Sequence, residues 1–174
     1  MLPIPKHLKS VIKTVGQENS EFMVTGQIQC DCGNDTFKIK IVADDSAYET
    51  DNVIKVVEIE GHFFLIVKLQ CNGCGKEHLI FDHDLHGWNG FMEADEAEEI
   101  QKPPAKTWSC NKCRAENHKM IVTIQSQGQD DFVNEAGEDF DKNDWIEAFE
   151  WIIIGTECNN CGEINEEWVS YETM

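Results

Sequence analysis

The chain has 174 residues, 41% of them hydrophobic, and its 33 acidic against 14 basic side chains give a formal net charge of −19. This is enough apolar material for a folded core, and no stretch approaches the roughly 18 apolar residues of a membrane span, so a globular cytoplasmic chain is expected. Acidity on this scale argues against nucleic acid as a partner, because phosphates are gripped by lysine and arginine, and the single arginine is Arg114.

The opening Met1-Leu2-Pro3-Ile4-Pro5-Lys6 lacks the apolar core of a signal peptide. Leu8, Ile12 and Val15 then recur at helical spacing, which predicts a short N-terminal helix within residues 1–20. Lys6, His7, Lys9 and Lys13 form its solvated basic face. Cys30-Asp31-Cys32-Gly33 follows, and the alternation of Phe37, Ile39 and Ile41 has the period of a half-buried strand. A second apolar run, Phe63 to Val67, leads into Cys71-Asn72-Gly73-Cys74-Gly75. Beyond strand Leu79 to Phe81 comes Asp82-His83-Asp84-Leu85-His86. If the strand continued, Asp82, Asp84 and His86 would share one side. Gly87 and Gly90 read as turns that let Trp88 and Phe91 pack over the sheet. Residues 93–106, with Glu93, Asp95, Glu96, Glu98, Glu99 and Pro103-Pro104, read as an acidic linker stiffened by proline.

The second half repeats the pattern. Cys110 and Cys113 precede an alternation of Met120, Val122 and Ile124, and the apolar run Trp151 to Ile154 precedes Cys158-Asn159-Asn160-Cys161-Gly162. Cys113 lies 81 positions beyond Cys32, and Cys158 lies 87 beyond Cys71. The added length falls in Gln127 to Asn143, where Gly128, Gly137 and the acids Asp130, Asp131, Glu135, Glu138, Asp139 and Asp141 predict a mobile hairpin tip. Of the tryptophans, Trp151 and Trp168 sit in strand-like text and are assigned to the core, while Trp145 and Phe149 are the candidates for a contact surface.

Eight cysteines in four close pairs point to metal. Each pair delivers two thiolates from one tight turn, and two turns close a tetrahedron around Zn²⁺ with bonds of about 2.3 Å. If each copy closes its own core, Cys30, Cys32, Cys71 and Cys74 hold one ion, and Cys110, Cys113, Cys158 and Cys161 a second. A cross-braced pairing would require the copies to interlock. Iron also accepts four thiolates, but zinc is the usual occupant of such knuckles, and extracellular disulfides are disfavoured by the strain of a Cys30–Cys32 bridge. The residue after each second cysteine needs a positive φ, which Gly33, Gly75 and Gly162 meet and Arg114 does not. The Cys30/Cys32 pair is one residue shorter than the others, so its turn must be tighter or differently bonded.

On these knuckles the chain resembles the zinc-ribbon class over about residues 21–92 and 107–174, and in detail uncharacterised bacterial proteins carrying such ribbons with a stretch like His86-Gly87-Trp88-Asn89-Gly90. The resemblance implies a mainly β fold of two tandem zinc-ribbon-like domains with small antiparallel sheets, and no particular activity. Three functions are compatible with the sequence. The first is a protein-interaction or adaptor module stapled by two structural zinc ions. The second is a metal-dependent hydrolase-like enzyme built on Asp82, Asp84 and His86, and the third an acidic nucleic-acid mimic that occupies a basic protein.

Overall fold

The alternation of inward aliphatic and outward polar residues builds an antiparallel β structure, seen in a computed structural model that describes residues 2–15, 19–94, 100–137 and 139–174. In chain order the strands are β1 (Ile12–Thr14), β2 (Met23–Ile28), β3 (Phe37–Val42), β4 (Val57–Ile59), β5 (His62–Phe64), β6 (Ile66–Cys71), β7 (Glu77–Asp82), β8 (Lys106–Thr107), β9 (Asn117–Gln125), β10 (Trp151–Cys158) and β11 (Ile164–Glu172). Three short helices interrupt them: α1 (Tyr48–Asp51), α2 (Gly87–Met92) and α3 (Gln129–Ala136). Nine of the strands form one sheet, and β4 and β5 form a separate two-stranded ladder.

Two antiparallel meanders, β3–β6–β7 and β9–β10–β11, meet where β3 and β9 begin, with Phe37 opposite His118 and Lys38 opposite Asn117. The strand before each first cysteine pair crosses to the other meander. β2 lies along β9, with Gly26 opposite Val122 and Gln27 opposite Ile121. In the same way β8 lies along β3, with Lys40 opposite Thr107 and Ile41 opposite Lys106. Each half is therefore completed by a strand from the other.

Registers match between the halves. Cys71 faces Phe37 as Cys158 faces His118, and Gln70 faces Glu77 as Glu157 faces Ile164. Both outer hairpins break register at the corresponding place, between Val67 and Lys68 and between Ile154 and Thr156. The second break takes up one residue more, so Asp82, opposite Ile66, corresponds to Ser170, opposite Ile153, one position beyond what counting from the cysteines gives.

Because the strands interleave, the main core draws on both halves, with a smaller cluster of Val42, Phe64 and Ile66 beside it. Val24, Ile41 and Val67 belong to the same buried cluster as Val122, Ile154 and Trp168. Two small sheets with separate cores were expected; the strands join in one sheet instead. The N-terminal helix is likewise replaced, since a single 3-10 turn covers Lys6–Leu8 and Ile12 enters β1. Leu8, Val11 and Ile12 are all buried, so the apolar spacing marked an edge strand laid on the core. The stretch 127–143, expected as a mobile tip, contains α3, whose fully buried Phe132 packs edge-on to Trp88 at 5.9 Å. Phe149 is also fully buried, which removes it as a surface residue, and Trp145 is half-buried. Trp168 is core as expected, while Trp151 is half-buried with its Nε1–H donated to Ser170 Oγ at 3.2 Å. Residues 95–99 of the acidic linker and Glu138 lie outside the described residues.

Reciprocal strand exchange predicts that neither half folds alone. Fragments 1–104 and 105–174, produced separately with metal present, are expected to give poorly dispersed amide NMR spectra, and mixing them should restore the full-length spectrum. Cooperative unfolding of either fragment by itself would contradict the exchange.

Candidate metal centres

The two cysteine groups assemble as the sequence pairing requires. In the first, Cys30 Sγ lies 3.6 Å from Cys74 Sγ, and Cys32 Sγ lies 3.6 Å from Cys71 Sγ. In the second, Cys110 and Cys161 are 3.7 Å apart and Cys113 and Cys158 3.5 Å. Within each group all four sulfurs lie within 4.8 Å of one another, and all eight cysteines are free thiols. Four metal–sulfur bonds of about 2.3 Å define a tetrahedron with an edge of about 3.8 Å, so both cages have the size a four-thiolate metal ion needs. Such groups could hold metal ions, and a tetrahedron filled by four sulfurs leaves no position for a substrate.

Local backbone bonding explains how the sulfurs converge. In three knuckles the first cysteine bonds to residues four and five further on. Cys71 donates to the Lys76 carbonyl at 2.9 Å and accepts from the Gly75 N–H at 2.8 Å, with the same pattern at Cys110 and Cys158. The shorter first knuckle closes one residue earlier, with Cys30 donating to Asn34 and accepting from Gly33, both at 2.8 Å. This is the tighter turn its missing residue demanded. The residue after each second cysteine has positive φ: +88° at Gly33, +77° at Gly75, +72° at Gly162 and +63° at Arg114. Arg114 thus adopts the left-handed backbone of its glycine counterparts at a steric cost.

Polar neighbours tune the sulfurs. Around the first centre, Gly73 N–H and Asn34 Nδ2 approach Cys71 Sγ at 3.3 and 3.4 Å, and His78 Nε2 lies 3.2 Å from Cys30 Sγ. Burial lowers the His78 pKa, and the Nε2–H tautomer of the neutral ring would donate to a Cys30 thiolate. Burial opposes ionisation of Cys71, but the N–H groups of Cys74 and Gly73 and neighbouring thiols outweigh it and draw the thiol down to about 6. Burial pushes Cys30 up to about 12. In the second centre a hydrogen bond from the Asn160 side chain, then the Ala115 N–H, draws Cys113 down to about 6. The Glu163 N–H favours the Cys161 thiolate, yet burial and the three adjacent thiols push Cys161 up to about 12. A divalent cation held by these cysteines would supply the charge that lets all four ionise together, with release of the remaining protons.

His78 and Asn34 were not singled out from the sequence. The signal for His78 was its place four residues after Cys74, in phase with inward-facing Ile80 on β7. The two centres also touch through asparagine: Asn72 Nδ2 donates to Asn117 Oδ1 at 3.0 Å, and the Asn117 carbonyl accepts from the Asn159 N–H at 2.9 Å.

Asp82, Asp84 and His86 lie in one turn, but their ligand atoms do not gather as a metal-ligand group. β7 ends at Asp82 and the chain turns, so the three residues do not share a strand face. The buried Asp82 carboxylate is ion-paired with Lys102, and Asp84 lies 3.6 Å from the same ammonium. His86 Nδ1 accepts from the Asp82 backbone N–H at 3.0 Å, and its ring stacks on His7 with centroids 3.7 Å apart. Among the described residues, only the two cysteine groups gather three or more metal-ligand atoms. No protein-family model, curated protein or solved structure matches the chain.

Two outcomes follow from this geometry. Arg114→Gly relieves the left-handed strain and is expected to raise stability by about 1 kcal/mol in urea titration of the metal-loaded chain, whereas unchanged or reduced stability would show no strain there. Burial pulls His7 down to about 4 and His86 to about 3, below the ordinary 6.5. Their contribution is therefore complete above pH 6.5 and is lost as pH falls through 6.5 toward those values, because the unfolded chain takes up the protons first. The loss is about 1 kcal/mol per pH unit for each histidine. His7→Phe, which keeps a stacked ring, should make the fall in stability between pH 6 and 4 shallower than in the wild type; equal slopes would refute the assignment.

Proposed function

We propose that the chain is a zinc protein built from two copies of a two-knuckle, ribbon-like unit, and that it acts in the cytoplasm as a protein-interaction module. The copies occupy residues 21–92 and 107–174, joined at 93–106 and preceded by the segment 1–20. Matching registers in the two meanders support the duplication. The sulfur geometry carries the metal reading: in each cage two edges of 3.5–3.7 Å, with all four sulfurs within 4.8 Å of one another, fit tetrahedral zinc, and four thiolate ligands leave the site closed to substrate. Eight free thiols fit a reducing compartment.

A module reading, rather than an enzyme, is supported by what the rest of the chain offers. Asp82, Asp84 and His86, the candidates for an open metal site, are engaged in ion pairs with Lys102, a backbone hydrogen bond and a ring stack. With a net charge of −19, the chain is suited to a cationic protein partner and not to nucleic acid.

Elemental analysis of the purified chain tests the metal reading. Two zinc ions per chain are expected, falling to one in Cys74→Ser and one in Cys161→Ser. Iron, fewer than two ions, or a third ion in the wild type would overturn it.

A further inference from the structure

The outward faces of the two meanders differ in a way the fold does not require. In the first, Lys40 lies opposite Lys68, and Lys40 forms an ion pair with Glu77 at 2.8 Å, a solvated surface. The positions in matching register in the second meander are Ile121, opposite Gly155, and Ile164. Ile121 is 47% exposed and Ile164 63% exposed, although a strand with one buried face normally presents polar residues outward. Since Lys40, Lys68 and Glu77 occupy the corresponding places in the same architecture, folding alone does not account for the isoleucines.

Gly155 deepens this surface. It sits where the β10–β11 register breaks, and a Cβ there would come 3.1 Å from the Glu166 carbonyl oxygen, so close approach of β11 explains the glycine itself. A hollow of about 690 Å³ lies here, with Ile121, Ile153, Gly155 and Ile164 in its lining. That volume is in the range of about 300–1,000 Å³ typical of binding sites. The rim is acidic. Glu157, Glu166 and Glu167 line it and are exposed, and none of them forms an ion pair among the described residues. The basic lining residue, Lys119, lies 3.3 Å from the Asp35 carboxylate.

We infer that the outer face of β2, β9, β10 and β11 docks a partner protein through a segment that combines aliphatic with basic side chains. This rests on the reading of the chain as an interaction module and adds where it binds and what chemistry it selects. Aliphatic side chains enter the hollow over Gly155, and lysine or arginine reaches the three glutamates. Charge selects this occupant. A second copy packed on the same face would oppose like acids, with −19 on each chain, and a nucleic acid would meet carboxylates.

The test uses the full zinc-loaded chain and a synthetic peptide alternating lysine with valine or leucine, followed by amide NMR. Shift changes are expected on the outward positions of β9–β11, with affinity falling at least tenfold in Ile121→Lys, which installs the residue of the matching position, Lys40, at a solvent-facing site. Glu166→Gln combined with Glu167→Gln should weaken binding and flatten its salt dependence. Shift changes elsewhere, equal affinity for Ile121→Lys, or equally tight binding of spermidine at this face would each overturn the docking proposal. The amide spectra confirm that each variant remains folded. If a cationic protein partner is captured equally by wild type and Ile121→Lys, the module reading stands and this face is wrong. If neither chain retains such a partner, the module reading itself fails.

Discussion

Each cysteine cluster ties a strand that has crossed to the opposite meander back to the hairpin of its own half. Cys30 and Cys32 sit at the corner between β2, which is paired with β9, and β3, which leads into the first meander. Cys71 and Cys74 sit at the β6–β7 bend. Drawing the four sulfurs together fixes that corner against that bend, and the second cluster does the same for the corner between β8 and β9. Apart from the clusters, β8 is held to β3 by two paired residues, Lys106 and Thr107, and by the bond from the adjoining Trp108 N–H to the Ile39 carbonyl. Short ladders of this kind are weak alone, whereas structural zinc in small modules contributes on the order of 10 kcal/mol. Metal ligation at these groups would therefore be large enough to decide whether the seam stays closed.

Much of the metal chemistry was legible in the sequence because it depends on local spacing. Two thiols in a four- or five-residue turn can reach one ion wherever the turn is placed, and the same-copy pairing followed from the matching texts around Cys71 and Cys158. The positive φ after each second cysteine was equally local, and Arg114 shows that the turn imposes it even on a residue that pays a cost. The strand exchange was not legible. Alternation in Phe37, Ile39 and Ile41 says that one face is buried but not which strand lies alongside, and β8 is too short to signal itself. Leu8, Ile12 and Val15 fitted a helix by spacing, yet the edge of β2 was available to pair with Ile12 and Lys13, and that tertiary contact overrode the local pattern. The run Asp82 to His86 depended on a strand continuing, and the turn after Asp82 ended it.

The two halves differ around a frame of matching registers. Behind the first centre His78 Nε2 lies against the Cys30 sulfur, while the residue in matching register on β11 is Asn165, whose side chain bonds to the Tyr48 hydroxyl at 2.9 Å. On the outer surface the first half keeps lysines and the second exposes isoleucines beside acids. Both halves carry a four-cysteine group that could be closed by a metal ion, and the exposed isoleucines beside acids are confined to one. That division separates what holds the fold from what the fold can present to a partner.

Hydrogen exchange at the seam tests most directly whether metal ligation holds the exchanged strands. With thiols kept reduced, the account predicts that chelation abolishes protection at backbone amides of β2 and β9 and at those of β3 facing β8, along with protection in the knuckles. Full retention of seam protection in the metal-free, reduced chain would contradict it.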